Sequence, residues 1–208
     1  VEYRYQPTPT EIDIPKNFPP IVHPVDNPLT QEGIRLGRHL FWDTRLSGDN
    51  TMSCASCHLP QYAFSDSRRV SIGIHGDSGK RNAMVLQNLV WSNDFFWDGR
   101  ALSIEEQIIE TILDSTEMDQ TWANFFTEII YDNQYRQFFY EAFGTLEPDS
   151  NHAAKALAQF IRTMVSTNSK YDKFIRGETS LSPEENAGLA SFNDLNGGDC
   201  FHCHGGIL

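Results

Sequence analysis

The sequence predicts a mainly α-helical protein, and three observations carry that prediction. From Leu29 onward, apolar residues recur at three- and four-residue intervals, the period of a helix face. Capping and turn residues punctuate those stretches at their ends. No stretch alternates apolar and polar residues for long enough to read as a long strand. The chain has 208 residues, room for one large domain or two small ones.

Residues 1 to 28 carry seven prolines, from Pro7 to Pro28. Proline removes a backbone donor and fixes φ, so this segment reads as an extended arm rather than helix or central strand. Thr30 then caps a helix whose stripe is Ile34, Leu36, His39, Leu40 and Phe41, with His39 expected in the core. Residues 43 to 50 read as a loop. Asn82 to Leu89 reads as a short helix capped by Asn82. Ser103 and Glu106 form a capping box ahead of Ile104, Ile108, Ile109 and Ile112. Trp122 to Phe143 reads as a helical pair broken near Asp132-Asn133. Ser150 opens a helix through Ala154, Leu157, Phe160, Ile161 and Met164. Ser182 followed by Pro183 starts another, which runs toward Asn196-Gly197-Gly198.

Within this helical frame one short pattern occurs twice, as Cys54-Ala55-Ser56-Cys57-His58 and as Cys200-Phe201-His202-Cys203-His204. C-x-x-C-H is the attachment signature of c-type haem. The cysteine spacing puts two thiols on one turn, each able to form a thioether to a haem vinyl group. The following histidine can then ligate the iron, which makes His58 and His204 the candidate iron ligands. The two motifs use all four cysteines. A four-cysteine zinc site is the rival, but zinc does not require a histidine directly after both pairs. His202 reads as a surface or supporting residue.

The formal net charge is −12, which argues against nucleic acid as a partner, since binding it needs a basic surface. An acidic surface suits a basic redox protein and equally serves solubility. No apolar run is long enough for a transmembrane helix, and the first residues open no basic-then-apolar leader. Haem is normally attached outside the bacterial cytoplasm, so a periplasmic protein is expected, with Val1 near the start of a processed chain. Two half-units, each helix, loop and motif, imply two c-type cytochrome domains. The expected division is an arm at 1–28, a first haem domain at 29–147 and the start of a second at 148–208, with the hinge at Pro148.

Several segments together carry a resemblance: Leu36-Gly37-Arg38-His39-Leu40-Phe41, the first haem motif, Arg81-Asn82-Ala83, Phe96-Trp97-Asp98-Gly99-Arg100, Glu105-Glu106-Gln107, Glu117-Met118 and the second haem motif. In this order they resemble the bacterial di-haem cytochrome c peroxidase family, which includes the MauG-like enzymes. The resemblance covers roughly residues 29 to 208. It implies two covalently bound haem c groups, the peroxide-reacting one on His58 and the electron-transferring one on His204. It implies Glu117 as the distal acid/base, Gln107 as its companion, Trp97 as the aromatic residue between the haems, and Asn82 as a ligand of one calcium ion. A carboxylate with a raised pKa suits the proton transfers that peroxide cleavage needs.

Two departures from the family pattern bear on these expectations. Many members use a histidine in the loop after the first motif as a removable iron ligand. His75 is the candidate here, although the loop Gly73-Ile74-His75-Gly76 departs from their pattern and MauG-like members lack the ligand. Leu208 also follows His204 by four residues, where family members continue. The second domain is therefore expected to be incomplete: the chain is a fragment, or its C-terminal portion is cleaved, disordered or supplied by another chain. The function expected is reduction of hydrogen peroxide with electrons from a small cytochrome c or a cupredoxin. The alternatives are a MauG-like oxidase of a protein or small molecule, and a non-enzymatic di-haem electron carrier. A homodimer or a companion C-terminal fragment completes the expected partners.

Overall fold

In the computed structural model, residues 4–204 are described. They contain α-helices, short 3-10 turns and four isolated β-bridges, with no named strand among the described residues. The helices are α1 (Gln31–Phe41), α2 (Cys54–Cys57), α3 (Ile104–Leu113), α4 (Trp122–Ile129), α5 (Asn133–Phe143), α6 (Ser150–Arg162), α7 (Lys170–Ile175), α8 (Pro183–Asn193) and α9 (Phe201–His204).

The chain forms two compact units. Among the described residues, the first comprises 4–12 and 22–165, the second 13–21 and 166–204. The expected division at 147/148 is therefore displaced. The physical reason is α6, whose Ala153, Ala156, Leu157 and Ile161 are buried in the cluster that also holds Leu36 and Leu40 of α1 and Ile104 and Ile112 of α3. Its apolar stripe is spent on the first unit.

Small residues let α1 and α6 approach closely. A Cβ at Gly37 would fall 1.9 Å from the Ala156 carbonyl oxygen, and one at Gly33 2.2 Å from Oε1 of Gln159. Burial of Leu36, Leu40, Phe41, Phe125, Phe139 and Leu157, each fully enclosed, is worth about 1.5–3 kcal/mol per side chain.

A polar network ties the arm to the same helices. Arg162 makes a bidentate ion pair with Glu105 at 2.8 and 2.9 Å. Glu105 accepts from Asn27 at 2.5 Å, and Gln159 donates to Asn27 at 2.9 Å while accepting from the Thr30 backbone N–H at 2.9 Å. The described residues of the arm carry no helix, and Thr8 and Thr10 bond to the backbone at Gln31 and Leu29.

Several local expectations change. Residues 82–88 are not helical; only a 3-10 turn, Leu89–Trp91, follows. His39 is exposed rather than in the core, and its ring lies 4.7 Å from that of Phe138. Asp149, not Ser150, caps α6, by accepting from the His152 N–H. Ser103 accepts from the Glu106 N–H, but the Glu106 carboxylate returns to Leu102 N–H instead.

In the second unit, α7 and α8 each begin with a serine capping box, and Lys170 pairs with Glu185 at 2.5 Å. α7 has no counterpart in the sequence reading, being too short to show a period. None of the described residues of α7 to α9 is buried.

Candidate functional site

The first motif sits on α2, which opens with a reciprocal Ser53–Ser56 capping box. Cys54 and Cys57 lie at its two ends as free thiols. Burial pushes the Cys54 thiol up to about 12. Cys57 is also raised, first by burial, then by the charges of Asp66 and Glu117, against a lowering hydrogen bond from Ser71 and the charge of Arg68.

His58 follows, and the chain then reverses. Pro60–Tyr62 forms a 3-10 turn, and Ala63 and Phe64 both adopt the left-handed region at φ 57°. Leu59 N–H donates to Ser65 O, and Phe64 N–H donates to Leu59 O. This returns the Phe64 carbonyl to the His58 ring, where Nδ1 meets it at 2.8 Å. A carbonyl can only accept, so Nδ1 carries the proton and Nε2 keeps a lone pair for a metal. Burial lowers the His58 pKa, opposed by the Phe64 and Met84 carbonyls and by Asp66. The imidazole is thereby held neutral, the form that ligates. Two free thiols one turn apart and a histidine with its second nitrogen directed are the donor set that haem c takes.

Glu117 lies on the loop after α3, and that loop is clamped from several sides. Asp114 accepts from Thr116 N–H and Oγ1–H, both at 2.7 Å. Ile74 N–H donates to Glu117 O at 3.0 Å, and Gly48 N–H donates to Met118 O at 2.8 Å. A Cβ on Gly73 would stand 2.1 Å from Thr116 O, and one on Gly48 2.2 Å from Asp119 O. Buried Gln120 anchors the far end, donating to the carbonyls of Arg45 and Ser47 at 2.8 and 3.2 Å.

The Glu117 side chain lines a cavity of about 350 Å³ with Phe96, Arg100, Glu110, Thr111, Leu113 and Asp114. Its pKa is raised, chiefly by burial and then by Asp114, against the Arg100 charge. Arg100 stacks over Phe96 at 3.4 Å and pairs with Asp98 and Glu110. Asp98 also takes Arg81, and together the two arginines hold it at about 2.

Gln107 is half-buried on α3, one turn ahead of Thr111 on the same helical face, and is not among the residues that line this cavity. Trp97 is 61% exposed, and its indole N–H donates to Asn82 O at 2.8 Å. The Asn82 side chain is already engaged: Oδ1 accepts from Ser65 at 3.1 Å, and Nδ2 donates to the carbonyls of Asp66 and Arg68. His75 is exposed and directs Nε2 to Asp119 at 2.7 Å, which raises its pKa. Among the described residues, no group of three or more His, Cys, Asp or Glu is arranged to hold a bare metal ion. In the second motif Cys200, Cys203 and His204 are all exposed. No helix among the described residues is long and apolar enough to cross a membrane.

The family model for di-haem cytochrome c peroxidase matches residues 31–180. The chain belongs to the di-haem cytochrome c peroxidase family. It is 36% identical to the methylamine utilization protein MauG of Methylophilus methylotrophus over 182 residues, 87% of this chain and 54% of that protein. It is 33% identical to the cytochrome c peroxidase Ccp of Escherichia coli over 195 residues, 93% of this chain and 41% of that one. A crystal structure of a MauG-like protein associated with microbial copper homeostasis superposes with a TM-score of 0.90 at 35% identity, covering 95% of this chain and 59% of that one. The chain thus spans about half the length of the curated relatives it matches. Family membership implies haem c, and the donor set around His58 fits it.

Sequence reasoning did not find the supporting residues: Phe64, whose carbonyl orients His58, Arg100 over Phe96, and Asp114 and Gln120, which hold the Glu117 loop. Asp114-Ser115-Thr116 is an Asx-turn signature and was the one local signal available for that loop.

Proposed function

We propose that this chain carries the peroxide-reducing half of a di-haem c-type peroxidase. The whole protein reduces hydrogen peroxide to water with electrons from a small cytochrome c or a cupredoxin. The observation that supports this best is Glu117: a half-buried carboxyl with a raised pKa, lining a cavity and close enough for its charge to act on the Cys57 thiol. In this reading Cys54, Cys57 and His58 hold one haem, and Cys200, Cys203 and His204 a second. The haem supplies a redox-active iron and the electrons that split the peroxide O–O bond.

The chain's own residues handle the protons. As a carboxylate, Glu117 takes the proton from one peroxide oxygen. Protonated, it returns that proton to the other oxygen, which leaves as water. A carboxyl raised toward neutrality does both steps at modest cost, and positioned acid/base groups contribute about 10²- to 10⁴-fold in rate. The clamped loop keeps the carboxyl in place between the two transfers. Gln107, on the Thr111 face of α3, is assigned to orient peroxide or its water. Trp97 is assigned to electron passage between the haems. A calcium ion at Asn82 would take Oδ1 from Ser65 and draw its other oxygens from carbonyls or water. The protein is assigned to the periplasm.

One observation favours the MauG-like oxidase as second reading: the His75 imidazole is committed to Asp119, so His75 is better placed as a loop fastener than as a removable iron ligand. Steady-state peroxide turnover by the haem-loaded protein with reduced cytochrome c tests the first reading. Sustained donor oxidation is the expected result. Haem that reacts with peroxide yet oxidises no small donor would favour the second.

A further inference from the structure

Phe64 serves twice. Its carbonyl holds the His58 ring, while its own ring meets Phe41 edge-on, with centroids 6.2 Å apart and planes at 73°. Phe41, fully buried, meets Trp42 at 4.7 Å and 61°. Phe160 packs against both, 5.4 Å from Phe41 and 5.6 Å from Trp42. Trp42, the C-cap of α1, is 44% exposed. A series of aromatic rings therefore runs to the surface from Phe64, whose backbone carbonyl holds the candidate iron ligand. Close-packed interiors couple electron donors and acceptors better than a water gap does. Indole, with its electron-rich pyrrole nitrogen, gives up an electron far more readily than a phenyl ring. Trp42 is thus the sink at the outer end.

We propose that Trp42 is a surface oxidation site, where oxidising equivalents from peroxide leave the haem pocket when no electron donor is present. The inference rests on the peroxidase reading. In the net step the indole loses two electrons and two protons and gains an oxygen atom from water: one ring C–H bond breaks and one C–O bond forms. Hydrogen peroxide takes those two electrons and two protons, breaks its O–O bond and gives two waters. The balance is Trp42 plus hydrogen peroxide giving hydroxytryptophan plus one water.

The test is peptide mass mapping of the haem-loaded protein after hydrogen peroxide is added without donor. Haem-free chain serves as control, and Trp122, outside this series of rings, as internal reference. One added oxygen at Trp42, absent from the haem-free control and reduced when reduced cytochrome c is supplied, is the expected result. Trp42→Phe should abolish that product and the associated tryptophan radical signal in electron paramagnetic resonance. Peroxide consumed with Trp42 intact, or equal oxidation in haem-free chain, overturns the inference and spares the peroxidase reading. No peroxide consumption by protein with haem attached overturns both.

Discussion

The carbonyl oxygen of Phe64 lies 2.8 Å from Nδ1 of His58. The contact joins two residues six positions apart through a turn with consecutive left-handed residues, and it decides which imidazole nitrogen is free. Replacing His58 by alanine should leave haem attached through Cys54 and Cys57 while peroxide turnover is lost. An absorption spectrum paired with intact mass checks both; full turnover in that variant would remove His58 from the site.

Glu117→Gln keeps the shape and removes the titrating group. Turnover should fall about 10²- to 10⁴-fold. Stability at neutral pH should stay level or rise, because a raised folded pKa means ionised Glu117 opposes folding. The sign is that the favourable contribution is complete below the ordinary 4.5 and is lost as pH rises through the raised folded value. Thermal melts of both proteins across pH 4 to 8 measure the difference. For the unmodified enzyme, the acid limb of the rate profile should lie above 4.5, since the base form of Glu117 is depleted below its raised pKa.

Gly73 and Gly76 offer a matched pair. Gly73→Ala drives a methyl into Thr116 O at the Glu117 loop, and overpacking of that kind costs about 1–3 kcal/mol. Gly76 has φ +81° and open space around it, so Gly76→Ala costs only backbone strain of about 1–2 kcal/mol. Turnover should drop far more in the first variant than in the second at similar melting temperatures. Equal turnover in the two would show that the clamp does not position Glu117.

Arg162 is buried beside Glu105, with side-chain exposures of 6% and 17%. Arg162→Ala should destabilise by about 3–5 kcal/mol, because a carboxylate is left buried without its partner. Replacing both partners by apolar residues of similar volume should recover most of that loss. Urea unfolding of the single and double variants reads it directly.

Asp43 answers to pH in the opposite sense. Burial alone would raise it, but Arg45, Tyr135 and the Arg45 backbone N–H together bring it below the ordinary 3.8. Its contribution to stability is present above 3.8 and is lost as pH falls through the lowered folded value. Tyr135→Phe removes the 2.5 Å hydrogen bond from the phenol to Asp43. It should narrow the drop in melting temperature between pH 5 and pH 2.

The mainly helical class was readable because helix periods and caps are local: Thr30, Ser103 and Ser182 each cap within three residues of themselves. The haem motifs were readable for the same reason, since C-x-x-C-H is a covalent spacing confined to one turn. The resemblance to the family rested on such short segments and is borne out by the family match. Residues 82–88, by contrast, read as a helix capped by Asn82, yet the Asn82 side chain is drawn into tertiary hydrogen bonds to Asp66 and Arg68 and the stretch is not helical. His39 has an apolar address in the stripe of α1, but the helix turns it outward.

The chain's spacing by itself determined that this is a helical protein with two C-x-x-C-H motifs. Only the tertiary structure decided which unit α6 joins, that His75 is spent on Asp119, and that Glu117 is half-buried beside the first motif. Those outcomes depend on contacts between residues tens of positions apart. Their free energies come from burial and from pairing across the fold, and no local pattern encodes them.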